Sequence, residues 1–492
     1  MTTVETAPAT PLTWRPPAGA LWSGRWVDGA STMPVHDPED GRLLGHVTDT
    51  SPTEVDQAVT GVATAVASGA SGKSWPAWKR REALEEAAAL VVRHRERLAE
   101  VISREGCKTL REANGEVSRA AETLRLSARQ TDRLTGETLP FPDTSRGEGR
   151  LGWYTREPVG VVAAITPFND PLNLVAHKVG PALAGGNGVV LKPAEATPLT
   201  ALAFAEILLD AGVPAGRLAV VPGTGSGAGH ALVSHPLVDL VSFTGGHRTG
   251  NAVASAAGAK KTLMELGGNN AVLVLDDADT PAAAQAVVAG AFGVAGQNCL
   301  SVQRVFVAAR IAAPFLRHVI AATEELRVGR KADPRTDIGP LISEREARRV
   351  EEWVQEARDS GAVVHTGGRR DGAFHWPTVL TDVPADAKVM TEEIFGPVLV
   401  VEPIDTVDEA VARANDTRYG LQAGVFTTAL DTALDIAERL RVGAVMINDS
   451  SDFRIDAMPF GGPKRSGVGR EGVRYAVEAM TEPKVVAVRR GA

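Results

Sequence analysis

The spacing of apolar residues divides the chain into a helical N-terminal part and a longer part in which short apolar runs alternate with helical segments. Between residues 55 and 134 the apolar positions recur at helical spacing, most clearly at 80–103, where Leu, Val and Ile stand among Arg and Glu. Ser51 precedes this region with capping chemistry and predicts a helix start. Residues 18–50 alternate between turn residues, which predicts short strands.

A second pattern begins at Arg156, where apolar runs of strand length are separated by helices and Gly-rich turns. This pattern predicts strands at 159–165, 188–191, 218–221, 238–243 and 271–275, with helices at 173–184, 200–211 and 282–295. Strands that alternate with helices form parallel sheets, so the predicted fold class is α/β. The tail at 481–488 predicts a last strand that pairs outside its own sheet.

Composition and charge exclude several classes of function. A chain of 492 residues predicts two or more domains. The net charge of -8 argues against nucleic acid or an acidic membrane surface as the main partner. The sequence contains no run of about 18 apolar residues, so no membrane span is predicted. Residues 1–17 lack a basic start and an apolar block, so we expect a disordered leader and not a signal peptide.

Cys299 is one of only two cysteines in the chain, the other being Cys107, and it is the candidate nucleophile. Two cysteines form no disulfide framework, which predicts a reducing, cytoplasmic location. Small residues precede Cys299, and Gln297 and Asn298 stand beside it, so the thiol combines access with polar neighbours. The alternative for Cys299 is a buried structural cysteine, and for Cys107 a core or interface residue is the preferred interpretation.

Polar residues and glycines follow the predicted strands at the positions where ligands of parallel sheets bind. These are Asn169, Lys192, Glu195, Gly225 and Gly245. The glycines at 223–229 and 245–246 lie between a strand and a helix, where free N–H groups attract phosphate, although such runs are often only tight turns. Glu195 is placed to bind ribose hydroxyls or to interact with a helix N-terminus.

Seven segments in this order resemble motifs of the aldehyde dehydrogenase superfamily, over nearly the whole chain from about residue 20. They are Thr166-Pro-Phe-Asn169, Lys192-Pro-Ala-Glu195, Phe243-Thr-Gly-Gly, Met264-Glu265-Leu-Gly-Gly-Asn, Gly296-Gln-Asn-Cys299, Glu393-Ile-Phe395-Gly-Pro and Pro459-Phe-Gly-Gly. The resemblance implies a doubly wound parallel-sheet cofactor domain, an α/β catalytic domain and a β-arm for oligomerisation. Expected boundaries are 18–129 and 149–262 for the cofactor domain, 263–477 for the catalytic domain, and 130–148 and 478–492 for the arm.

The resemblance also implies the role of each motif residue. Cys299 is the expected nucleophile, Asn169 with the Cys299 backbone N–H the expected oxyanion hole, and Glu265 the expected base that activates water. Lys192 and Glu195 are expected to hold the adenosine ribose, and Glu393 and Phe395 the nicotinamide ribose and ring. The other expected cofactor contacts are Thr166, Pro167, Phe168, Ala194, Gly225, Gly229, Phe243, Thr244, Gly245, Gly246 and Leu266. No metal is expected.

Two of these residues predict the reaction type and the cofactor. Glu265 favours hydrolysis of an acyl-enzyme to a free acid, because members that transfer the acyl group to coenzyme A generally lack it. Burial of Glu265 would raise its pKa toward neutrality, and its alternative role is a structural ion pair. Glu195 favours NAD, since a carboxylate repels a 2′-phosphate, although NADP stays possible.

The substrate is less well defined by sequence. Family pocket positions hold Arg119, Asn173, His177, Asn298, Leu300, Phe453 and Arg454. Two arginines suit an anionic aldehyde, with phosphonoacetaldehyde the first candidate and a semialdehyde the second. Asn298 argues against this, because phosphate-binding members often carry Arg before the cysteine, and the alternative is a neutral aldehyde pocket with surface arginines.

Two rival functions are a cysteine hydrolase and a non-catalytic binding protein with the same fold. The hydrolase leaves the cofactor motifs without a use, and no His or Asp is tied to Cys299 by a motif. The binding protein is disfavoured by the complete set of Cys299, Glu265 and Asn169. The expected partners are therefore a small aldehyde and further copies of the chain, in a homodimer or homotetramer.

Overall fold

The computed structural model describes residues 12–68 and 75–490. Its helices are α1 Pro52–Ser68, α2 Ala77–Arg93, α3 Arg95–Glu105, α4 Leu110–Thr131, α5 Asn173–Ala184, α6 Pro198–Asp210, α7 His230–Ser234, α8 His247–Ala257, α9 Thr280–Phe292, α10 Ala309–Glu324, α11 Glu344–Asp359, α12 Lys388–Thr391, α13 Val407–Asn415, α14 Leu430–Arg439 and α15 Val473–Ala479.

Its strands are β1 Ala20–Trp22, β2 Arg25–Val27, β3 Thr32–His36, β4 Leu43–Thr48, β5 Glu137–Leu139, β6 Arg150–Pro158, β7 Val161–Ile165, β8 Gly188–Lys192, β9 Leu218–Val220, β10 Leu240–Thr244, β11 Lys261–Glu265, β12 Asn270–Val274, β13 Val302–Ala308, β14 Val363–Thr366, β15 Arg370–Asp371, β16 Phe374–His375, β17 Thr378–Thr381, β18 Val398–Ile404, β19 Gln422–Phe426, β20 Ala444–Ile447, β21 Gly467–Val468 and β22 Thr481–Arg489. The α/β fold class is confirmed.

The first large sheet has the strand order β2-β1-β9-β8-β7-β10-β11-β21. The five strands from β9 to β11 are parallel, and antiparallel strands close both edges. Strands β7 and β8 are buried along their whole length, as expected for a sheet covered on both faces. Helices α2, α4, α5 and α6 supply much of the apolar core on one face. The carboxyl ends of β7, β8, β10 and β11 all point to the same edge.

The second large sheet has the order β14-β17-β18-β13-β12-β19-β20. All its pairs from β17 to β20 are parallel, and β14 is antiparallel. Strand β21 of the first sheet comes from the chain after this second sheet, so the two sheets share elements across their boundary. That return of the chain brings residues 449–471 between the two sheets.

A separate three-stranded sheet has the order β22-β6-β5. Its middle strand β6 lies outside the two segments, 130–148 and 478–492, that were expected to form the arm. Nine residue pairs join β22 to β6, from Thr481 opposite Pro158 to Arg489 opposite Arg150. The expected boundary at residue 149 therefore falls just before the strand on which the arm sheet is built.

The N-terminal leader differs from the expectation at its end. Residues 1–11 lie outside the described residues, but Leu12 and Trp14 are partly buried against the first core. The Trp14 ring stacks on His94, and Thr13 bonds to Glu100. Residues 12–17 are thus ordered against the α2–α3 surface, because an indole ring removes apolar area from water there. No helix among the described residues is long and apolar enough to cross a membrane.

Candidate active site

A cavity of about 620 Å³ lies between the two large sheets. From the first sheet it receives the segments that follow β7, β8, β10 and β11, and from the second the turn before β13 and the loop before β18. Its lining includes most of the predicted site residues: Arg119, Pro167, Phe168, Asn169, Ala194, Phe243, Thr244, Gly245, Gly246, Glu265, Leu266, Asn298, Cys299, Leu300, Glu393, Phe395 and Arg454.

Cys299 stands on a tightly constrained turn. The backbone just before this turn is left-handed, with φ of 53° at Val294 and 53° at Ala295. Such conformations cost energy in non-glycine residues. The Asn270 side chain donates to the Cys299 carbonyl at 2.7 Å, and a Cβ on Gly268 would lie 2.4 Å from the same oxygen. The thiol is therefore held in place by its backbone. Burial, with the charges of Glu393 and Glu265, raises its pKa.

Two hydrogen-bond donors beside Cys299 are not used elsewhere. Asn169 follows β7, is 8% exposed and lines the cavity. Within the described residues its side-chain amide has no hydrogen-bond partner, and the backbone N–H of Cys299 likewise donates to no described group. Free donors at a thiol nucleophile suit a developing oxyanion.

Glu265, the last residue of β11, is buried at 4% exposure on the cavity wall. The Glu471 backbone N–H donates to its Oε1 at 3.1 Å, and Oε2 has no partner in the described part of the chain. Burial raises the pKa of Glu265 well above its usual range, and the charge of Glu471 adds to this. A carboxyl group with a raised pKa is able to take a proton from water near neutral pH.

Glu393 and Phe395 form the wall opposite the first sheet. The Gly268 N–H donates to Glu393 Oε1 at 3.0 Å, and burial raises the pKa of Glu393 to about 7. Phe395 holds a φ of 48°, and its ring meets that of Phe168 edge-on, with centroids 5.7 Å apart. Both aromatic rings line the cavity, so a flat ring that enters it meets aromatic surface.

The cavity wall contains a buried hydroxyl group and a helix N-terminus that are available to a ligand. Thr244 Oγ1 is buried without a partner in the described part of the chain. Next to it Gly246 is the N-cap of α8 with no side-chain cap, and nothing lies within 4 Å of the place where its Cβ would be. A free helix N-terminus beside an unused hydroxyl fits the pyrophosphate of a dinucleotide. The residues present therefore fit NAD or NADP.

The other predicted cofactor residues lie next to this cavity and not on its lining. The Gly225 N–H donates to Glu195 Oε1 at 2.6 Å, and the ammonium group of Lys192 donates to the Pro193 carbonyl at 2.7 Å. Burial lowers the pKa of Lys192 to about 8. The 223–229 run forms a π-helical turn at Gly225–Gly229 that leads into α7. Thr166 and Gly229 complete this group.

Arg119 and Arg454 line the other end of the cavity, where both take part in ion pairs. Arg119 contacts Asp170 at 3.3 Å and Asp456 at 3.0 Å. Arg454 contacts Glu471 at 3.4 Å, and its guanidinium lies 3.8 Å from the centroid of the Phe460 ring. The Nη1 group of Arg454 has no partner among the described residues.

Three predicted substrate residues are not on the cavity lining. Asn173 and His177 are completely buried on α5, where both contact Asp456 Oδ1, at 3.3 and 2.9 Å. The Phe453 residue is 48% exposed. Asn173 and His177 therefore support the carboxylate that holds Arg119, and the expectation that these three residues line the pocket is corrected.

Several lining residues were missed by the sequence interpretation: Asp170, Leu174, Thr249, Gly267, Asp452, Phe460 and Glu471. Asp170, Gly267 and Phe460 are inside or next to recognised motifs, so their position carried a signal. Asp452 stands next to the predicted pocket residues Phe453 and Arg454, but neither Asp452 nor Glu471 had been assigned a role. The return of the chain between the sheets brings both of them to the cavity.

The fold, with a free thiol and groups that fit a dinucleotide on one cavity, is that of an oxidoreductase. Residues 26–486 match the model of the aldehyde dehydrogenase family, and the chain belongs to that family. It is an NAD(P)-dependent enzyme that oxidises aldehydes.

Three similar proteins illustrate the range of the family around this chain. A 3-sulfolactaldehyde dehydrogenase of Priestia aryabhattai is 44% identical over 95% of this chain and 97% of its own length. Aspartate-semialdehyde dehydrogenase 1 of Pseudomonas canavaninivorans is 46% identical over 92% and 95%. The NADP complex of the NADP-dependent glyceraldehyde-3-phosphate dehydrogenase of Bacillus halodurans C-125 superposes with a TM-score of 0.93 at 37% identity, over 96% and 99%.

Proposed function

We propose that this enzyme oxidises a small anionic aldehyde to its carboxylic acid with NAD. The observation that carries the proposal is the Nη1 group of Arg454, an unused donor of a guanidinium whose side chain is only 7% exposed on the cavity that holds Cys299. Arg119 lines the same cavity. Guanidinium groups bind carboxylate, phosphonate or sulfonate groups through directed N–H bonds.

The residues of the cavity carry out the chemistry in order. Cys299 Sγ attacks the aldehyde carbon, and Asn169 with the Cys299 N–H donates to the oxygen that becomes negative; each such donor is worth about 3 kcal/mol. Glu393, Phe395 and the α8 N-terminus would hold NAD, which would supply the acceptor for the hydride. Cys299 then carries a thioester, and Glu265 takes a proton from the water that hydrolyses it.

The charge balance of the substrate end explains how an anion would be held. Four buried or partly buried cations, Lys108, Arg119, Lys178 and Arg454, face four acids, Glu116, Asp170, Asp456 and Glu471. The site therefore offers directed N–H donors and not a large excess of positive charge. The second candidate, a pocket for neutral aldehydes, is favoured by this same pairing, because every guanidinium there already has an acidic partner.

Relatives with named substrates support the anionic class. Sulfolactaldehyde, aspartate semialdehyde and glyceraldehyde 3-phosphate, named for three similar enzymes, share a short chain with an aldehyde at one end and an anion at the other. Phosphonoacetaldehyde and a semialdehyde stay the candidates within that class for this chain.

The test compares anionic and neutral aldehydes of similar length by NADH formation. Succinate semialdehyde and 3-sulfopropanal stand against butanal, with wild-type enzyme, Arg454→Ala and, as a control on an exposed guanidinium, Arg474→Ala. We expect kcat/KM to favour the anionic aldehydes in wild type and in Arg474→Ala. In Arg454→Ala the ratio of kcat/KM for anionic over neutral aldehydes should fall by roughly tenfold or more. If the wild-type enzyme turned over butanal as fast as the anionic aldehydes, the result would favour the neutral pocket.

NAD is proposed over NADP because the exposed carboxylate of Glu195, bonded to the Gly225 N–H, would repel a 2′-phosphate. We also propose that the chain acts in the cytoplasm, because Cys299 has to stay a free thiol and Cys107 is also unpaired. The division into a cofactor domain, a catalytic domain and an arm that joins copies into a dimer or tetramer is retained as a proposal, with β6 added to the arm.

A further inference from the structure

Asp452, to which no role has been assigned so far, stands on a rigid loop of the cavity wall. The buried Gln422 side chain donates to the carbonyls of Ser451 at 2.8 Å and of Phe453 at 3.0 Å. Ser451 Oγ donates in turn to the Leu300 carbonyl at 2.9 Å. The backbone is thus fixed on both sides of Asp452 and is tied to the residue that follows Cys299. Such support is typical of a positioned binding group.

The Asp452 carboxylate has one used and one unused oxygen. Oδ1 accepts from the Asn298 side chain, whereas Oδ2 has no hydrogen-bond partner in the described part of the chain and is not among its enclosed polar atoms. Asn298 presents its other end to the reaction centre, since its Oδ1 lies 3.8 Å from Cys299 Sγ. One amide group therefore separates the free carboxylate oxygen from the thiol.

The charges of Arg119 and Asp170 act on Asp452. Burial raises the pKa of Asp452 to about 6, and the charge of Arg119 opposes that rise. Asp452 shares the cavity lining with Cys299, Arg119 and Arg454, so its free oxygen is available to the carbon chain of a short aldehyde whose ends are held at the thiol and at the arginines. A carboxylate in this place repels acceptors and favours a hydrogen-bond donor.

We propose that Asp452 is a specificity-determining residue that accepts a hydrogen bond from a hydroxyl or ammonium group on the carbon chain between the aldehyde and the anionic end of the substrate. The position of the anion in this inference rests on the proposed function. The substrate class becomes hydroxy- or amino-substituted anionic aldehydes, and an aldehyde without such a group, such as phosphonoacetaldehyde, leaves Oδ2 unused.

The experiment uses pairs of aldehydes that differ in one donor. 3-Sulfolactaldehyde against 3-sulfopropanal tests a hydroxyl group, and aspartate semialdehyde against succinate semialdehyde tests an ammonium group. We expect wild-type kcat/KM to favour the donor-bearing member of at least one pair by roughly tenfold or more, the range for a hydrogen bond to a charged group. The favoured pair identifies the group.

The variants separate substrate recognition from the orientation of Asn298. Asp452→Ala should remove most of the preference, and Asp452→Asn, which still accepts from Asn298, should reduce it, with the larger loss of kcat/KM on the donor-bearing aldehyde. Asp449→Ala, a carboxylate on the same loop that does not line the cavity, should keep the preference. Equal loss with both members of a pair would show that Asp452 only orients Asn298 and would overturn the proposal, as would a wild-type enzyme without preference in either pair.

Failure of the anion hypothesis remains distinguishable. Lactaldehyde and propanal form a pair that differs in the 2-hydroxyl group and carries no anion. Equal turnover of butanal and 3-sulfopropanal by the wild-type enzyme would contradict the anionic substrate. A preference for lactaldehyde over propanal that is present in wild type and lost in Asp452→Ala would still support the role of Asp452.

Discussion

At the scale of single residues, the cavity sets the protonation of two neighbouring carboxyl groups in opposite directions. Burial and the charge of Glu471 raise the pKa of Glu265. Glu471 is also buried, but Lys178, His177 and Arg454 lower its pKa to about 2. Glu471 is therefore ionised at neutral pH, and its charge helps to keep Glu265 ready to accept a proton.

Glu471→Gln should shift the pH dependence of turnover. In the proposed mechanism Glu265 acts as a base only when it is ionised, so activity is expected to rise as pH increases through its pKa. Removal of the Glu471 charge takes away a cause of the raised pKa, and the acid limb of the kcat–pH profile should move to lower pH. The measurement is kcat at saturating aldehyde and NAD across the pH range. Glu478→Gln, on exposed α15 surface, serves as the control, and an acid limb that moves to higher pH would contradict the prediction.

At the scale of elements, the sequence predicted the strands and helices whose surroundings are uniform. Helix Asn173–Ala184 was predicted with its observed ends, and the strands β7 to β10 deviate by a few residues at most from the predicted ranges, whereas β11 was not predicted as a strand. Buried parallel strands show long apolar runs, so a local pattern is enough to find them. Strand β6 was missed because its exposed and half-buried residues do not repeat in a simple way.

At the site, too, the sequence predicted the residues that local patterns identify and not those whose position depends on distant contacts. Motif residues such as Cys299, Glu265 and Asn169 follow strands or turns and could be found locally. Whether α5 turns Asn173 and His177 toward the cavity or away from it depends on how Asp456 packs from a distant segment, and spacing along the helix does not contain that information. The same holds for Asp452, whose position is fixed by contacts with Gln422 and Asn298.

Gln303 on β13 should control the loop that carries Glu393. Its Nε2 donates to the carbonyls of Val389 at 3.1 Å and Glu392 at 2.6 Å, and its Oε1 accepts from the Ile394 N–H at 2.9 Å. Gln303→Ala leaves these buried groups unpaired, at about 1–3 kcal/mol each before water or the loop compensates. We expect a lower free energy of unfolding and a several-fold higher Kd for NAD.

The measurements for Gln303→Ala are NAD titration by protein fluorescence and urea unfolding with and without NAD. Gln355→Ala, on the exposed face of α11 with a bond only to Asp359, is the matched control. A variant with reduced stability but unchanged NAD affinity would show that Gln303 supports the fold without positioning Glu393.

At the scale of the whole molecule, the arm sheet leaves a long strand at an open edge. Strand β22 has nine residues and, among the described residues, pairs on one side only, with β6. Val485 is 57% exposed, Val488 is 42% exposed, and Trp153 on β6 is 37% exposed. A long apolar edge strand is a template for pairing with another chain. Because the same edge is present on every copy, a second copy of this chain is the expected partner.

Charges on this edge should therefore dissociate the proposed oligomer. We expect wild type to run as a dimer or tetramer and Val485→Asp/Val488→Asp as a smaller species in size-exclusion chromatography with light scattering, since two carboxylates would have to be buried at the junction. Leu43→Asp, an equally exposed apolar position on β4, should keep the wild-type mass. Both altered residues lie outside the cavity lining, so NADH formation per folded chain reports whether association also supports activity. A variant that keeps the wild-type mass would place the junction elsewhere on the molecule.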